Sequence, residues 1–276
     1  SISQTTLELD KGETASLQAT VLPNNATNNK VNWSSADESV AIVDKNGKIT
    51  AIDAGTVAIT ASTGNGEFVA SCELLVFFTH NGDVYGAVKN IETGNTWLDR
   101  NLGATQVATS ATDELAYGDL YQWGRGTDGH EKRNSEITET LSSSNTPSHG
   151  YYIKNLQVPR DWRNPQNDNL WQGVNGTNNP CPTGYRIPTQ AEWKEELGSW
   201  SSKDADGAFA STLKLPKGGF RNSSFASPRQ LGVEGAFWSS TVTDSDALFL
   251  GISNSIARSN DLQRRATAQS IRCIEN

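Results

Sequence analysis

The first 77 residues alternate between apolar and polar positions in short runs separated by turn-forming residues. Four of these runs read "TASLQATVL", "VAIVDKNGKITAI", "GTVAITAST" and "ASCELLVFF". A period of two is typical of strands with one buried face. In the second run Asn46-Gly47 lies between two apolar arms, which predicts a hairpin with a type I′ turn. Short strands at regular spacing favour an all-β sandwich.

From about residue 78 the pattern changes to long loops rich in Gly, Asn, Ser and Thr, with few regular elements. A hairpin is predicted about Thr93-Gly94-Asn95. The one clear helical run is "IPTQAEWKEEL", in which Thr189 is an N-cap candidate and Glu192 completes a capping box. The inward side chains of this helix are expected to include Ala191, Trp193 and Leu197.

Residues 125–150 form a long loop in this interpretation, and loops of that length are usually functional or mobile.

The C-terminal segment 236–276 begins and ends with strand-like runs, "FWSS" and "SIRCI", but has no regular pattern between them. Lys, Gln, Glu and Trp do not occur between Ser239 and Leu262, although all four are spread over the rest of the chain. An unpatterned stretch between two buried strands indicates a rigid scaffold that presents residues free to vary.

Composition and charge limit the class of protein. The 276 residues have a formal net charge of -8 and no Lys/Arg-rich stripe, which argues against a nucleic-acid partner. No run of 18 apolar residues occurs, so no membrane span is expected.

The length and the change of pattern predict two domains, 1–77 and 78–276, joined near 77–81 with few contacts between them. The start "SISQTTLEL" suggests a mature or trimmed chain.

Three cysteines are present, and their spacing is unlike that of a zinc site. Cys72 lies in an alternating run and is expected to be a small buried residue. Cys181 and Cys273 belong to the second domain. They form either a disulfide or two isolated buried thiols.

Residue types that could carry chemistry are few. His80, His130 and His149 are not spaced as metal ligands and have no recognisable nucleophile beside them. The acids Asp37, Glu38 and Asp44 are expected to be solvated loop residues. Asp244 and Asp246 offer too few oxygen ligands for a calcium site. We therefore expect no catalytic residue, no metal and no cofactor.

The first domain resembles the group 2 bacterial immunoglobulin-like domain in the stretch "VNWSSADESVAIVDKNGKITAIDAGTVAITAS". Its Trp-Ser-Ser, Val-Asp-x-x-Gly and Ala-Gly-Thr steps are specific in combination. The resemblance implies a spacer or stalk, with Trp33 in the core.

The second domain resembles the Fibrobacter succinogenes major paralogous domain, with "NTWLDRNLGA", "AYGDLYQWGR", "NPCPTGYRIPTQAEW", "LKLPKGGFRNSS", "FWSST" and "SIRCI" in the family's order. The step "YRIPTQAEW" is also similar to one in formylglycine-generating enzymes. Both families are variants of the α+β C-type lectin fold, which is the fold implied here. Tryptophans and tyrosines within the motifs are expected in the core: Trp97, Trp123, Tyr185, Trp193 and Trp238.

The C-terminal segment resembles the variable region of proteins diversified by retroelements, which often carry this fold and end in a pattern like "YWSST…RSVRC". Randomised AAC codons in such proteins cannot become Lys, Gln, Glu, Trp or Met, which agrees with the composition of 239–262. Gln263 and Gln269 do not fit such an origin. The inward residues are expected to be Ala247, Leu250, Ile252 and Ala257.

The residues expected to point outward, which we call the variable surface, are Thr243, Asp244, Ser245, Asp246, Phe249, Gly251, Ser253, Ile256, Arg258, Asp261, Leu262, Gln263 and Arg264. Exposed aromatic and arginine side chains contribute much of the energy at interfaces, so Phe249, Leu262 and Arg258 are the expected anchors. A tolerant surface loop without a ligand is the plainer alternative.

These expectations favour a non-enzymatic protein that displays a ligand- or receptor-binding surface on a stalk, outside the cell, on a virion or a bacterial surface. Its partner would be an unknown protein or glycan. One alternative is an adhesin or carbohydrate-binding protein of the same fold without diversification. Another is an oxidase of the formylglycine-generating kind. That family relies on a pair of cysteines, whereas here Cys181 lies in the "NPCPTGYR" motif and Cys273 in the last predicted strand, as structural cysteines do, so the oxidase is the weaker hypothesis.

Overall fold

The computed structural model describes residues 1–23, 25–222 and 227–276. The end of the "LKLPKGGFRNSS" motif, residues 223 and 224, lies outside these ranges. The chain divides into two compact units, Ser1–Val88 and Lys89–Asn276. The expected boundary between residues 77 and 78 falls inside a strand that runs on to His80, and so differs from the division between the units.

The first unit is built from strands that form two sheets. The strands are β1 Thr6–Asp10, β2 Thr14–Ser16, β3 Val31–Ser35, β4 Ala41–Val43, β5 Lys48–Ala51, β6 Gly55–Thr63, β7 Val69–His80 and β8 Asp83–Tyr85. One sheet has the order β1-β7-β6-β3, with β8 paired to β7, and the other has the order β2-β5-β4. The pairs are antiparallel except for β1 with β7, which is parallel. This arrangement is the all-β sandwich that the alternating pattern predicted.

Alternation along β6 places its apolar side chains between the two sheets, where Val57 and Ile59 are buried with Ile49 and Leu74. Cys72 is also buried there as a free thiol, as predicted. Burial raises the pKa of this thiol. Trp33 packs against the same cluster but is only half-buried, so it lies at the margin of the core.

The hairpin between β4 and β5 is confirmed, but its predicted type I′ turn is wrong. Such a turn needs positive φ at both central residues, and only Gly47 has it, with φ of +81°. The Asp44 Oδ1 atom accepts hydrogen bonds from the backbone N–H groups of Asn46 and Lys48, at 2.8 and 2.9 Å. This side chain closes a longer loop, and the backbone hydrogen bonds lower the pKa of Asp44.

The second unit has many short strands and two α-helices among its described residues. The division between the units falls inside β9 Ala87–Lys89, before its last residue. The strands that follow are β10 Thr96–Leu98, β11 Tyr121–Gln122, β12 Ile137–Thr138, β13 Tyr152–Ile153, β14 Tyr185–Arg186, β15 Phe220–Arg221, β16 Pro228–Arg229, β17 Gly235–Thr243, β18 Asp246–Ile252, β19 Ala257–Arg264, β20 Ala268–Gln269 and β21 Ile274–Glu275. The helices are α1 Gln190–Ser199 and α2 Ala205–Ala210, and a 3₁₀ turn spans Glu114–Ala116. No helix in the described ranges has the length and apolar character to cross a membrane.

The strands of this unit form four small sheets, with the orders β14-β21-β10-β9, β11-β20-β15-β16, β12-β13 and β17-β18-β19. The predicted hairpin about Gly94 is present between β9 and β10. The "SIRCI" run is buried as predicted, but it is not one continuous strand. Its backbone carbonyls at Ile271 and Cys273 accept from Leu102 and Leu98, each at 3.0 Å.

The core of the second unit is rich in tryptophan. All five aromatic residues that the motifs assigned to it, Trp97, Trp123, Tyr185, Trp193 and Trp238, are buried. Trp97 stacks on Trp193 with ring centroids 4.9 Å apart. Cys181 and Cys273 are joined by a disulfide, which resolves the two alternatives left by the sequence.

Helix α1 begins as predicted. The Thr189 side chain accepts from the Glu192 backbone N–H, and the Glu192 carboxylate accepts from the Thr189 backbone N–H at 2.7 Å. Trp193 is buried, but Ala191 is exposed and Leu197 is half-buried. The second buried residue of the helix is instead Glu196, whose carboxylate accepts from Asn90 and Trp200. Helix α2 was not predicted.

Candidate ligand-binding surface

The unpatterned C-terminal segment forms an antiparallel sheet, β17-β18-β19, in which the two hairpins bring its residues together. β17 carries "FWSS" and is buried from Gly235 to Ser240. The Trp238 Nε1–H group donates to the Tyr121 carbonyl at 2.7 Å. The four residues predicted to face inward are buried: Ala247, Leu250, Ile252 and Ala257.

Every residue of the variable surface is exposed or half-buried. Thr243, Asp244, Ser245 and Asp246 form the turn between β17 and β18, and Ser253 and Ile256 lie in the turn between β18 and β19. The remaining members lie on the central strand and on one edge strand of this sheet: Phe249 and Gly251 on β18, and Arg258, Asp261, Leu262, Gln263 and Arg264 on β19.

A concave pocket of about 260 Å³ opens on this sheet, and we call it the sheet pocket. Seven members of the variable surface line it: Phe249, Gly251, Ser253, Ile256, Arg258, Asp261 and Gln263. The structure thus brings together residues from both strands and from the second turn. The other lining residues lie outside the variable surface: Phe220, Glu234, Gly235, Ala236, Ile252 and Gln269.

Gly251 determines how the pocket wall is built. The position that a Cβ atom would take on Gly251 lies 3.0 Å from the Asp261 Oδ2 atom and 3.2 Å from the Phe249 ring. Phe249 and Asp261 are also cross-strand partners. A carboxylate and an aromatic ring therefore lie side by side over the backbone of Gly251, in space that a larger residue would occupy.

Some members of the variable surface lie away from the pocket. Arg264 forms an ion pair with Asp246 at 2.6 Å, which joins the ends of β18 and β19. Leu262 lies opposite Leu248 and is 52% exposed. These residues form a separate part of the sheet's surface.

The turn between β17 and β18 is supported from below. Asp244 has φ of +46°, a conformation that aspartate tolerates better than most residues. Its carbonyl accepts from the fully buried Arg265 at 3.1 Å, and the Ser245 carbonyl accepts from Gln166, also at 3.1 Å. Arg265 lies over the Trp123 ring and 2.7 Å from Asp168. The buried Arg265 and the half-buried Gln166 thus hold a turn that belongs to the variable surface.

Phe249 does not point wholly outward as predicted. It is half-buried, and its ring meets the buried Trp238 ring edge-on at 6.2 Å between centroids. Leu262 and Arg258, the other expected anchors, are exposed. The sequence interpretation also missed Phe220, Glu234 and Gln269 as lining residues, because only the folded sheets bring these distant positions to the pocket.

One other cluster has the residue types of a metal site. Single ligand atoms of Asp128, His130 and Glu131 lie within 4.8 Å of one another. The His130 Nδ1 atom is 2.6 Å from Asp128, and its Nε2 atom accepts from the Gln122 backbone N–H at 3.0 Å. Burial lowers the pKa of His130 to about 4, so the ring is neutral near pH 7. Both ring nitrogens already have protein partners, so the cluster fits a structural network better than a metal site.

The long 125–150 segment is tied to the core around this network. Arg125 is buried, donates to Asp128 and to the carbonyl of Tyr151, and lies over the Trp162 ring. The cysteine pair that the oxidase hypothesis would need is also buried, with Cys181 7% exposed and Cys273 fully enclosed. Neither region presents a reactive group at the sheet pocket.

Comparison with known proteins places the first unit in a family. The family model of the bacterial Ig-like domain (group 2) matches residues 1–74. The first unit is a group 2 bacterial Ig-like domain.

Three relatives illustrate the range of proteins that carry similar sequence. The Ig-like virion protein of Serratia phage KSP90 is 40% identical over 76 residues, which is 27% of this chain and 30% of the relative. The minor capsid protein of Enterobacteria phage T3 is 43% identical over 75 residues, covering 27% of this chain and 17% of the relative. Lacto-N-biosidase of Bifidobacterium bifidum is 42% identical over 80 residues, covering 29% of this chain and 7% of the enzyme.

The chain covers less than a third of each of these relatives. It also covers 6% and 29% of two uncharacterised proteins of Clostridium acetobutylicum, which are 52% and 32% identical to it over the matched parts. The match to the glycosidase lies in its Ig-like part and brings no catalytic residue to this chain.

Proposed function

We propose that this chain is a non-enzymatic ligand- or receptor-binding display protein whose variable surface is diversified by a retroelement. In this proposal the second unit is a C-type lectin-fold domain and the Ig-like unit is a spacer. The observation that carries it is the position of the variable surface. None of its residues is buried, whereas the four residues predicted to face inward between them, Ala247, Leu250, Ile252 and Ala257, are buried. Seven of its thirteen members line one pocket.

The composition of the segment supports diversification. Lys, Gln, Glu and Trp are missing from 239–262, as expected if its variable codons derive from AAC. A sheet with fixed inward residues stays rigid while its outward residues vary. Such a surface loses little conformational entropy when it binds a partner, which favours binding. The strands carry Ala247, Leu250, Ile252 and Ala257 inward whatever the neighbouring outward residues are.

The first unit supports a position outside the cell. Relatives of this unit include proteins named for the virion and the capsid of phages. By analogy, we place this chain on a virion or on a bacterial surface, with an unknown macromolecule as its partner. Its binding role needs no cofactor.

A surface of fixed sequence is the second candidate, as in an adhesin or a carbohydrate-binding protein. Gln263 favours it, because this residue lines the sheet pocket but does not fit an AAC origin. The two candidates differ in their DNA rather than in their fold.

The flanking DNA therefore tests the proposal. Diversification requires a near-copy of the 3′ end of the gene with AAC at codons of the variable surface, beside a reverse transcriptase gene. Sequencing the region on either side of the gene should find both. Their absence from the complete source genome would overturn diversification and leave the fixed-surface protein.

A further inference from the structure

Gln269 lines the floor of the sheet pocket, and one atom of its polar side chain makes no hydrogen bond within the protein. The side chain is 1% exposed and lines the pocket. Its Oε1 atom has no hydrogen-bond partner in the structure. Buried polar side-chain atoms are nearly always paired, because leaving one unpaired costs the free energy of its desolvation. Gln269 lines the pocket while its unpaired oxygen is itself almost fully covered, so a small rotation of the carboxamide would bring this oxygen to a donor on a ligand.

The wall above this floor favours a positive charge. The Asp261 carboxylate lies beside the Phe249 ring over Gly251. Within the described ranges, Asp261 has no ion-pair partner. A carboxylate next to an aromatic ring attracts a cation by charge and by the negative face of the ring. Glu234 adds a second acid to the lining.

Arg258 is the one basic residue that lines the pocket. It is exposed, and it lies opposite Gly251 in the register of β18 and β19. It likewise has no ion-pair partner in the part of the chain that the structure describes. Arg258 therefore lies at the rim, where it would repel a cation entering the pocket and attract an anion.

We infer that the sheet pocket receives a basic side chain, lysine or arginine, of a protein partner. The inference rests on the proposed binding function and specifies its ligand. The aliphatic part of such a side chain would contact Phe249, Ile252 and Ile256, and its charged end would meet Asp261 and the Gln269 oxygen. The acceptors outnumber the single rim cation, and the chain's net charge of -8 also favours a basic partner.

The proposal also divides the pocket between fixed and varied residues. Gln269 and Glu234 lie outside the variable surface, whereas Phe249, Arg258 and Asp261 belong to it. A diversified protein would thus keep a constant polar floor for the donor group, while variation at the wall and rim selects among partners.

The test uses the full chain, labelled with ¹⁵N, and three small probes of similar shape. Nα-acetyl-lysine N-methylamide carries the basic side chain, the norleucine analogue carries only the aliphatic part, and the glutamate analogue carries an acid. The lysine probe should produce saturable NMR shifts at the Gly251 amide and the Gln269 carboxamide. The norleucine and glutamate probes should leave these signals unchanged.

Two variants should change the affinity for the lysine probe in opposite directions if Asp261 attracts its charge and Arg258 repels it. Asp261→Asn should weaken binding of the lysine probe about fivefold, and Arg258→Ala should strengthen it about twofold, as expected for partly exposed charges. Gln269→Leu should weaken binding too. It should also raise the Tm by about 2–4 °C, because it removes a buried carboxamide oxygen that has no partner. A structural role for Gln269 would lower the Tm instead.

Binding of the glutamate probe, strengthened by Asp261→Asn, would overturn the basic ligand in favour of an acidic one. Binding of a methyl hexoside at these signals, without the lysine probe, would overturn it in favour of a sugar. Absence of any shift would also overturn it. These outcomes are independent of the template repeat in the flanking DNA, so the ligand class and the proposed function can fail separately.

Discussion

The ring of Phe249 meets the ring of Trp238 edge-on, with centroids 6.2 Å apart. Trp238 is fully buried, and Phe249 is half-buried in the wall of the sheet pocket. This contact joins the core of the second unit to the variable surface. Substitution at Phe249 should therefore affect both stability and binding.

The first prediction separates core from surface by stability. Trp238→Ala should lower the free energy of unfolding by about 3–5 kcal/mol, because it leaves a cavity. Phe249→Ala should cost about 1–2 kcal/mol, since only part of its ring is buried. Arg258→Ala and Leu262→Ala, as exposed controls, should stay within about 0.5 kcal/mol of the parent. Urea unfolding measures all four, and a loss at Arg258 or Leu262 as large as that at Trp238 would contradict the outward assignment.

The second prediction concerns pH. Burial holds the pKa of His130 at about 4 in the folded protein, below the ordinary 6.5. The unfolded chain therefore binds more protons between these values, and the free energy of unfolding should fall as pH drops from 6.5 to 4. The loss in the free energy of unfolding should reach about 3 kcal/mol. Below pH 4, His130 should contribute no further loss.

Unfolding at a series of pH values between 7 and 4 measures this dependence. His130→Gln is the control, because a glutamine has no titrating group and should flatten the curve in that window. An unchanged slope in the variant would show that other groups cause the acid sensitivity.

The third prediction concerns the disulfide between Cys181 and Cys273, whose sequence separation is 92 residues. A link across so long a segment restricts the unfolded chain, so its loss should cost about 4–5 kcal/mol. Cys181→Ala and reduction with dithiothreitol should both lower the Tm of the second unit. Cys72→Ala should leave the effect of dithiothreitol intact. An unchanged Tm on full reduction would contradict the structural role of the bond.

Local features of the fold were predictable from sequence, and features that depend on distant partners were not. The capping box of Thr189 and Glu192 is confirmed because its partners lie within one turn. The turn type at Asn46 is wrong because the Asp44 side chain supplies the bonds that a type I′ turn would otherwise make. Burial of Glu196 depends on Asn90, far away in the chain.

The same distinction applies to the candidate site. The alternation of buried and outward positions on β18 and β19 follows from strand geometry, so the inward residues were found. The pocket floor was missed because Gln269 reaches it only through the pairing of β20 with β11 and β15. Nothing in the neighbouring sequence marks Gln269 as a ligand-facing residue.

The fourth prediction concerns the boundary of the Ig-like unit. A fragment 1–77 ends inside β7 and loses the contact between Phe78 and Tyr85, whose ring centroids are 6.1 Å apart. A fragment 1–88 keeps the whole of β7 and the contact between Phe78 and Tyr85. The longer fragment should be more stable by about 1 kcal/mol, the usual value of an aromatic pair. Equal urea midpoints for the two fragments would favour the boundary at residue 77.

The central claim is that selection keeps the scaffold constant while the variable surface changes. Deep sequencing of this gene across a growing source population measures it most directly. We predict substitutions at the positions that correspond to adenines of the template repeat, concentrated in the codons of the variable surface, with the codons of Trp238, Leu250, Ile252 and Gln269 unchanged. Substitutions spread evenly along the chain, or a variable surface identical in every copy, would contradict the account.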